Sequence, residues 1–172
     1  MAAPRPLTRE VLERARRVKL LCVDVDGVLT DAGMYYGVDG EVLKKFNTRD
    51  GMGLARARAA GIAVAIISGE DSAIVHARAA KLAITDVITG CSDKLAAVDD
   101  LRARRRLIYD EVAYIGDDVN DLPALERVGF ACAVADALEC VKQVAHHVTE
   151  RRGGDGAVRE LCELLLAARA GA

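Results

Sequence analysis

Apolar residues in this chain fall into short runs of three to five. Between the runs they recur every three or four positions. Runs of that length fit buried strands, and the wider spacing fits amphipathic helices. The predicted strands are 19–23, 63–67, 86–88, 112–115, 131–134 and 146–148. The predicted helices are 51–60, 71–82, 92–105, 121–128, 138–143 and 157–168. Thr8 is the expected N-cap of a further short helix over 9–18. Strands that are apolar throughout and alternate with helices imply a parallel sheet covered on both faces, an α/β, Rossmann-like architecture.

Segment 32–46 breaks this rhythm. Met34-Tyr35-Tyr36 and Glu41 to Phe46 flank Gly37-Val38-Asp39-Gly40, which predicts a projecting β-hairpin with a Gly-containing turn. A two-stranded ribbon is marginal alone, so this one is expected to pack against another subunit. Near the other end, Arg151-Arg152-Gly153-Gly154-Asp155-Gly156 reads either as a mobile connection or as a flexible basic lid.

At 172 residues the chain is read as one domain, 1–172, with a tail over 151–172. Hydrophobic residues make up 52% and charged residues 29%, the balance of an ordinary globular protein. A net charge of −2 and 3% aromatic residues argue against a nucleic-acid surface. The run Arg102, Arg104, Arg105, Arg106 falls where a helix should end and complements its dipole. Five scattered cysteines without a CxxC point to a reducing cytoplasm, with Cys22 and Cys132 as core residues. No apolar stretch reaches 18 residues, so no membrane partner is expected. Residues 1–18 lack the apolar core of a signal peptide, and Glu10 and Glu13 disfavour a transit peptide.

The chemistry begins where the first strand ends, at Asp24-Val25-Asp26-Gly27-Val28-Leu29-Thr30. Residues two apart on a strand share a face, so both carboxylates can converge on the crevice at the sheet's carboxyl edge. There they repel unless a cation lies between them. One could attack phosphorus while the other moves a proton. A strand end followed by an Asp-Gly turn is the plainer reading of the same residues. An EF-hand fails for want of further oxygen ligands and a closing Glu.

Three more strand ends carry polar stations. Ser68-Gly69-Glu70 follows the second strand as a candidate phosphate cradle at a helix N-terminus. Lys94 opens a later helix. Gly116-Asp117-Asp118-Val119-Asn120-Asp121 supplies hard oxygen ligands suited to Mg2+, or an acidic N-cap, and Asp121 could serve as both.

In this order the stations resemble those of the haloacid dehalogenase superfamily of phosphohydrolases. The resemblance implies that Asp24 is the nucleophile and Asp26 the general acid/base. It implies that Asp24, the Asp26 carbonyl and Asp117 hold Mg2+, with Asp121 in support. Ser68 and Lys94 would balance charge on the phosphoryl group, and Thr30 and Gly69 would line the substrate. Too few residues separate the stations for a cap domain. The chain is similar to the capless, tetrameric sugar-acid phosphatases of this superfamily, through the hairpin, Phe46-Asn47-Thr48-Arg49-Asp50-Gly51, Ala113 to Asp118, Ala133 to Ala137 and Gly153 to Glu160. That implies a homotetramer acting on a small sugar-acid phosphate.

Within that group Glu70 resembles the enzymes for nine-carbon acids, 2-keto-3-deoxynononate or N-acylneuraminate 9-phosphate. Arg78, from a neighbouring subunit, and Lys81 would complete their pocket, while Arg151 and Arg152 in the lid reading of 151–156 would attract an anionic substrate of either length. The alternative substrate is 3-deoxy-D-manno-octulosonate 8-phosphate, whose enzymes usually carry Arg at the Glu70 position and share the 133–137 and 153–160 segments. A less specific sugar phosphatase is a further alternative.

Overall fold

Strand β1 (Leu20–Val23) is buried along its whole length, as a central strand covered on both faces must be. In the computed structural model, which describes residues 7–171, it pairs in parallel with β4 (Ala63–Ile67) and β6 (Val112–Gly116). Val23 lies level with Ile66 and Ile115. The three strands therefore end together, and the residues that follow them share one edge. Residues 1–6 and 172 of the expected 1–172 domain lie outside the described residues.

The sheet is completed by β5 (Asp86–Ile88), β7 (Phe130–Ala133) and β8 (His147–Val148), in the order β5-β4-β1-β6-β7-β8. The chain first winds outward from β1 to β5, then crosses back to β6 and winds the other way. Strand order thus reverses between β1 and β6, the position where parallel sheets open a crevice for ligands.

Helices α1 (Arg9–Arg17), α2 (Thr48–Ala59) and α7 (Ala157–Ala170) pack together. So do α4 (Lys94–Arg104), α5 (Leu122–Leu125) and α6 (Glu139–Val144). Right-handed crossovers put these two groups on opposite faces. Helix α3 (Ala73–Lys81) joins β4 to β5. The expected parallel α/β sheet and the hairpin, β2 (Tyr35–Gly37) with β3 (Gly40–Leu43), are both present. Among the described residues no helix is long and apolar enough to cross a membrane.

Four features depart from the sequence reading. The helix expected over 121–128 shrinks to α5, preceded by a 3₁₀ turn at Val119–Asp121. Asp118, not Asp121, bonds the turn's first amide, and the Asp121 carboxylate points inward. Helix α3 starts at Ala73, so Ser68 and Gly69 lie in a loop ahead of it rather than at its first turn. Phe46 is half-buried and packs on the core beneath the Arg78 guanidinium, not on the exposed ribbon.

The 151–156 segment is the fourth, and it is a docked loop rather than a lid. Gly153, Gly154 and Gly156 are buried. The Gly153 amide donates to Asp136 Oδ1, that of Gly154 to the Val28 carbonyl, and that of Gly156 to Asp50 Oδ2. A Cβ on Gly153 would lie 1.7 Å from the Gly27 carbonyl oxygen. Its glycine serves close backbone packing against the loop after β1, not mobility.

Candidate active site

Asp24 is the first residue past β1 and is 4% exposed. Its Oδ1 lies 2.9 Å from the ammonium of Lys94, the first residue of α4. Lys94 is 3% exposed and also donates to Asp121 Oδ1 at 2.6 Å. A lysine at a helix start is ordinarily solvated. This one is buried because two carboxylates surround it.

Asp121 is fully buried and fully engaged. Its Oδ1 also accepts from the Tyr114 hydroxyl at 2.7 Å, and its Oδ2 accepts from the Asp117 and Asp118 amides at 2.9 and 3.3 Å. Those bonds fix the turn that aims Asp117. Gly27 (φ +86°) passes so close that a Cβ there would lie 2.0 Å from Asp117 Oδ2.

Asp24, Asp117 and Asp121 each offer an oxygen, and the three oxygens lie within 4.8 Å of one another. Asp117 Oδ1 is buried without a hydrogen-bond partner. Three converging hard oxygens, one of them unpartnered, fit a magnesium ion. The Asp26 carboxylate stands apart from this cluster, so it can contribute to such a site only through its carbonyl.

Burial and the Asp121 charge push Asp24 up to about 7, against the pull of Lys94. Burial and the Asp24 charge push Asp117 up to about 8. Without a cation, the folded chain keeps protons here that the unfolded chain loses near pH 4. Stability falls with rising pH wherever the unfolded state binds fewer protons. The metal-free protein is therefore expected to lose stability from about pH 4 to about pH 8. Mg2+ should offset this by replacing the protons as counter-charge. In melts between about pH 5 and 8, the Tm gain from Mg2+ over EDTA should grow with pH. A gain independent of pH would refute the raised values.

Asp26 turns toward the hairpin. Its Oδ1 lies 2.6 Å from the ammonium of Lys44, just past β3, while its Oδ2 is buried without a partner. Lys44 also pairs with Glu41 at 2.6 Å, and Glu41 accepts from the Ser72 hydroxyl at 2.6 Å. The sequence reading missed Lys44, Glu41, Ser72 and Tyr114. Only the Glu41-to-Lys44 spacing hinted at a pair, and on a strand such spacing points the two side chains to opposite faces.

The structure brings Asp24, Asp26, Lys94, Asp117 and Asp121 to one edge, with Ser68 beside them at the end of β4. The Ser68 hydroxyl accepts from the Glu70 amide at 3.2 Å. Thr30 departs from its expected substrate role. It is 1% exposed, and its hydroxyl accepts from the Gly27 and Ala32 amides and reaches the Val25 carbonyl, closing the loop after β1. Glu70 is exposed, and within one chain its carboxylate makes no bond to Arg78, which donates to the Asn47 carbonyl instead. Lys81 is exposed at the end of α3.

Arg151 and Arg152, the expected anion-attracting pair, are both exposed at the start of this docked loop. The Arg151 backbone is tied to Glu160 and Ala135, and the Arg152 guanidinium pairs with Asp136. Arg152 lines a cleft of about 250 Å³ with Lys45 and Asn47, and none of the clustered carboxylates borders it.

The sequence profile of the family described as haloacid dehalogenase-like hydrolase matches residues 70–161. The chain is 46% identical over 164 residues to the 3-deoxy-D-manno-octulosonate 8-phosphate phosphatase of Escherichia coli K12, covering 95% of this chain and 87% of that one. The crystal structure of the Yersinia pestis 3-deoxy-D-manno-octulosonate 8-phosphate phosphatase matches with a TM-score of 0.94 at 45% identity, over 96% of this chain and 89% of that chain. That of the Moraxella catarrhalis phosphatase, in complex with a magnesium ion, a phosphate ion and a KDO molecule, matches with a TM-score of 0.92 at 40% identity. It covers 96% of this chain and 95% of that one.

Proposed function

The chain belongs to the haloacid dehalogenase-like hydrolases, and from that premise we propose that it hydrolyses 3-deoxy-D-manno-octulosonate 8-phosphate. It is a Mg2+-dependent phosphoric monoester hydrolase. The observation that carries the reading is the cluster of Asp24, Asp117 and Asp121 around Lys94 at the edge where strand order reverses. The whole of 1–172 is taken as one phosphatase domain.

The eight-carbon substrate replaces the nine-carbon one as the main reading. Relatives 45–46% identical over nearly the whole chain are octulosonate phosphatases. The nine-carbon reading leans on Glu70, whose exposed carboxylate meets no partner among the described residues to define a pocket. Glu70 and Lys81 are still available to a substrate from the solvent side.

Asp24 attacks phosphorus and forms an aspartyl-phosphate. Its Oδ1 is held by Lys94, and Asp121 holds Lys94 in turn. Asp26 gives its proton to the leaving alkoxide, then takes one from the water that hydrolyses the aspartyl-phosphate. Ser68 and the Gly69 amide meet the phosphoryl oxygens opposite Lys94. Asp24, Asp117 and the Asp26 carbonyl, with Asp121 behind them, would hold Mg2+, which would supply positive charge against the carboxylates and the phosphoryl group. Little covalent work falls to the protein beyond placing these groups. The exposed Met34, Tyr35, Tyr36, Val38, Val42 and Leu43 of the hairpin support association into a homotetramer.

Steady-state kinetics on a panel of sugar-acid and hexose phosphates tests the reading. The octulosonate phosphate is expected to exceed the nine-carbon phosphates by at least about tenfold in kcat/KM, a difference of about 1.4 kcal/mol. The opposite preference restores the nine-carbon substrate. No Mg2+-dependent turnover of any phosphate monoester would overturn the phosphatase reading itself.

A further inference from the structure

The hairpin sends one buried cation toward the catalytic loop. The Lys44 side chain is 1% exposed and bridges Asp26 and Glu41, 2.6 Å from each. Burial works against its ammonium, but the bonds to Asp26 and Glu41 outweigh that and hold the group above its ordinary value. Lys44 is therefore charged. Ser72 occupies the N-cap position of α3, where a serine ordinarily accepts from a helix amide. Here it makes no such bond, and its hydroxyl donates to Glu41 instead. The run Ser72–Glu41–Lys44–Asp26 thus ties the loop after β4, the hairpin and the loop after β1 across the mouth of the crevice. Asp26 is left with one oxygen pinned and the other, Oδ2, buried and unpartnered.

We propose that Lys44 is a positioning residue for Asp26, holding Oδ1 so that Oδ2 is the oxygen that carries the proton, with Glu41 and Ser72 holding Lys44. In the step it serves, Oδ2–H passes its proton to the leaving oxygen as the P–O bond breaks, and the carboxylate later takes a proton from the attacking water. This rests on the assignment of Asp26 as the residue that moves the proton. It gives the hairpin a second task, inside its own chain, beside any part in assembly.

The test uses a series of aryl phosphates, from dinitrophenyl to unsubstituted phenyl phosphate. None has a sugar or a carboxylate, so contacts to those groups drop out. A good leaving group departs without a proton, whereas a poor one needs it. Asp26→Asn is expected to lower kcat/KM by about 10²-fold for phenyl phosphate and only a few-fold for dinitrophenyl phosphate. Lys44→Met should show the same tilt, with a loss of about tenfold or more confined to the poor leaving groups. Lys44→Arg should recover part of it, and Ser72→Ala should tilt the series in the same direction by a few-fold.

A Lys44→Met loss equal across the series, or no loss, overturns the proposal, because a merely structural tie would lower all substrates alike. Should Lys44→Met fail to fold, an untilted series in both Lys44→Arg and Ser72→Ala overturns it. An unchanged slope in Asp26→Asn would instead remove the assignment of Asp26, and the role of Lys44 with it.

Discussion

Asp24→Asn is expected to abolish turnover, on the order of 10⁴-fold or more, without lowering the melting temperature of the metal-free protein. The amide keeps the size of the side chain but has no anionic oxygen with which to attack phosphorus. Stability should hold because the native carboxylate is buried beside Asp121 and Asp117, and its charge is disfavoured there. Lys94 keeps Asp121 as a partner. Activity and stability are thus opposed at this position, as is common where a site concentrates like charges. Acid-quenched mass spectrometry should find a phosphoryl adduct on Asp24 of the wild type and none on the variant. An adduct at another residue, or turnover within tenfold of wild type, would overturn the assignment of the nucleophile.

Lys94→Met is expected to act on stability and rate together. Its ammonium is the cation paired with both Asp24 and Asp121, and all three groups are buried. Removing one member of a buried ion pair leaves the other uncompensated, which typically costs about 3–5 kcal/mol. In a chain of this size that lowers Tm by on the order of 10 °C. In the proposed mechanism, loss of this preorganised positive group should also lower kcat by about 10²–10³-fold. The Tm deficit should be larger in EDTA than in Mg2+, since the metal supplies part of the missing charge. Equal stability of variant and wild type in EDTA would mean that Asp24 and Asp121 do not depend on Lys94 for neutralisation.

The carboxylate edge was legible because buried parallel strands leave a plain trace. Leu20 to Val23 and Val112 to Ile115 are apolar on both faces, so the first acidic residue after each marks the strand end. Register then brings the two ends level. Thr30 misled because a short hydroxyl side chain beside a phosphate station serves a ligand or a turn equally well, and only burial separates the two. Arg151 to Gly156 misled for a similar reason. Glycine permits mobility and close approach alike, and the choice rests on the Gly27 carbonyl, which is remote in sequence. Lys44 left little trace because Glu41 lies on the same hairpin at a spacing that, on a strand, points to the opposite face, while Asp26 and the Ser72 that holds Glu41 come from other loops. A Lys-Lys pair on a hairpin looks like surface.

The docking of Gly153 on Gly27 also bears on when the enzyme comes into being. Asp50 receives amide bonds from Gly156, 106 residues further along the chain, and from Arg159. The wall behind the first carboxylate loop is therefore synthesised long after the loop itself. Contacts this distant form only after the entropy of closing a long loop has been overcome. During synthesis β1 and its two aspartates emerge early and wait. A chain interrupted before Gly153 therefore lacks the backbone that packs on Gly27 and the amides that bond Asp50.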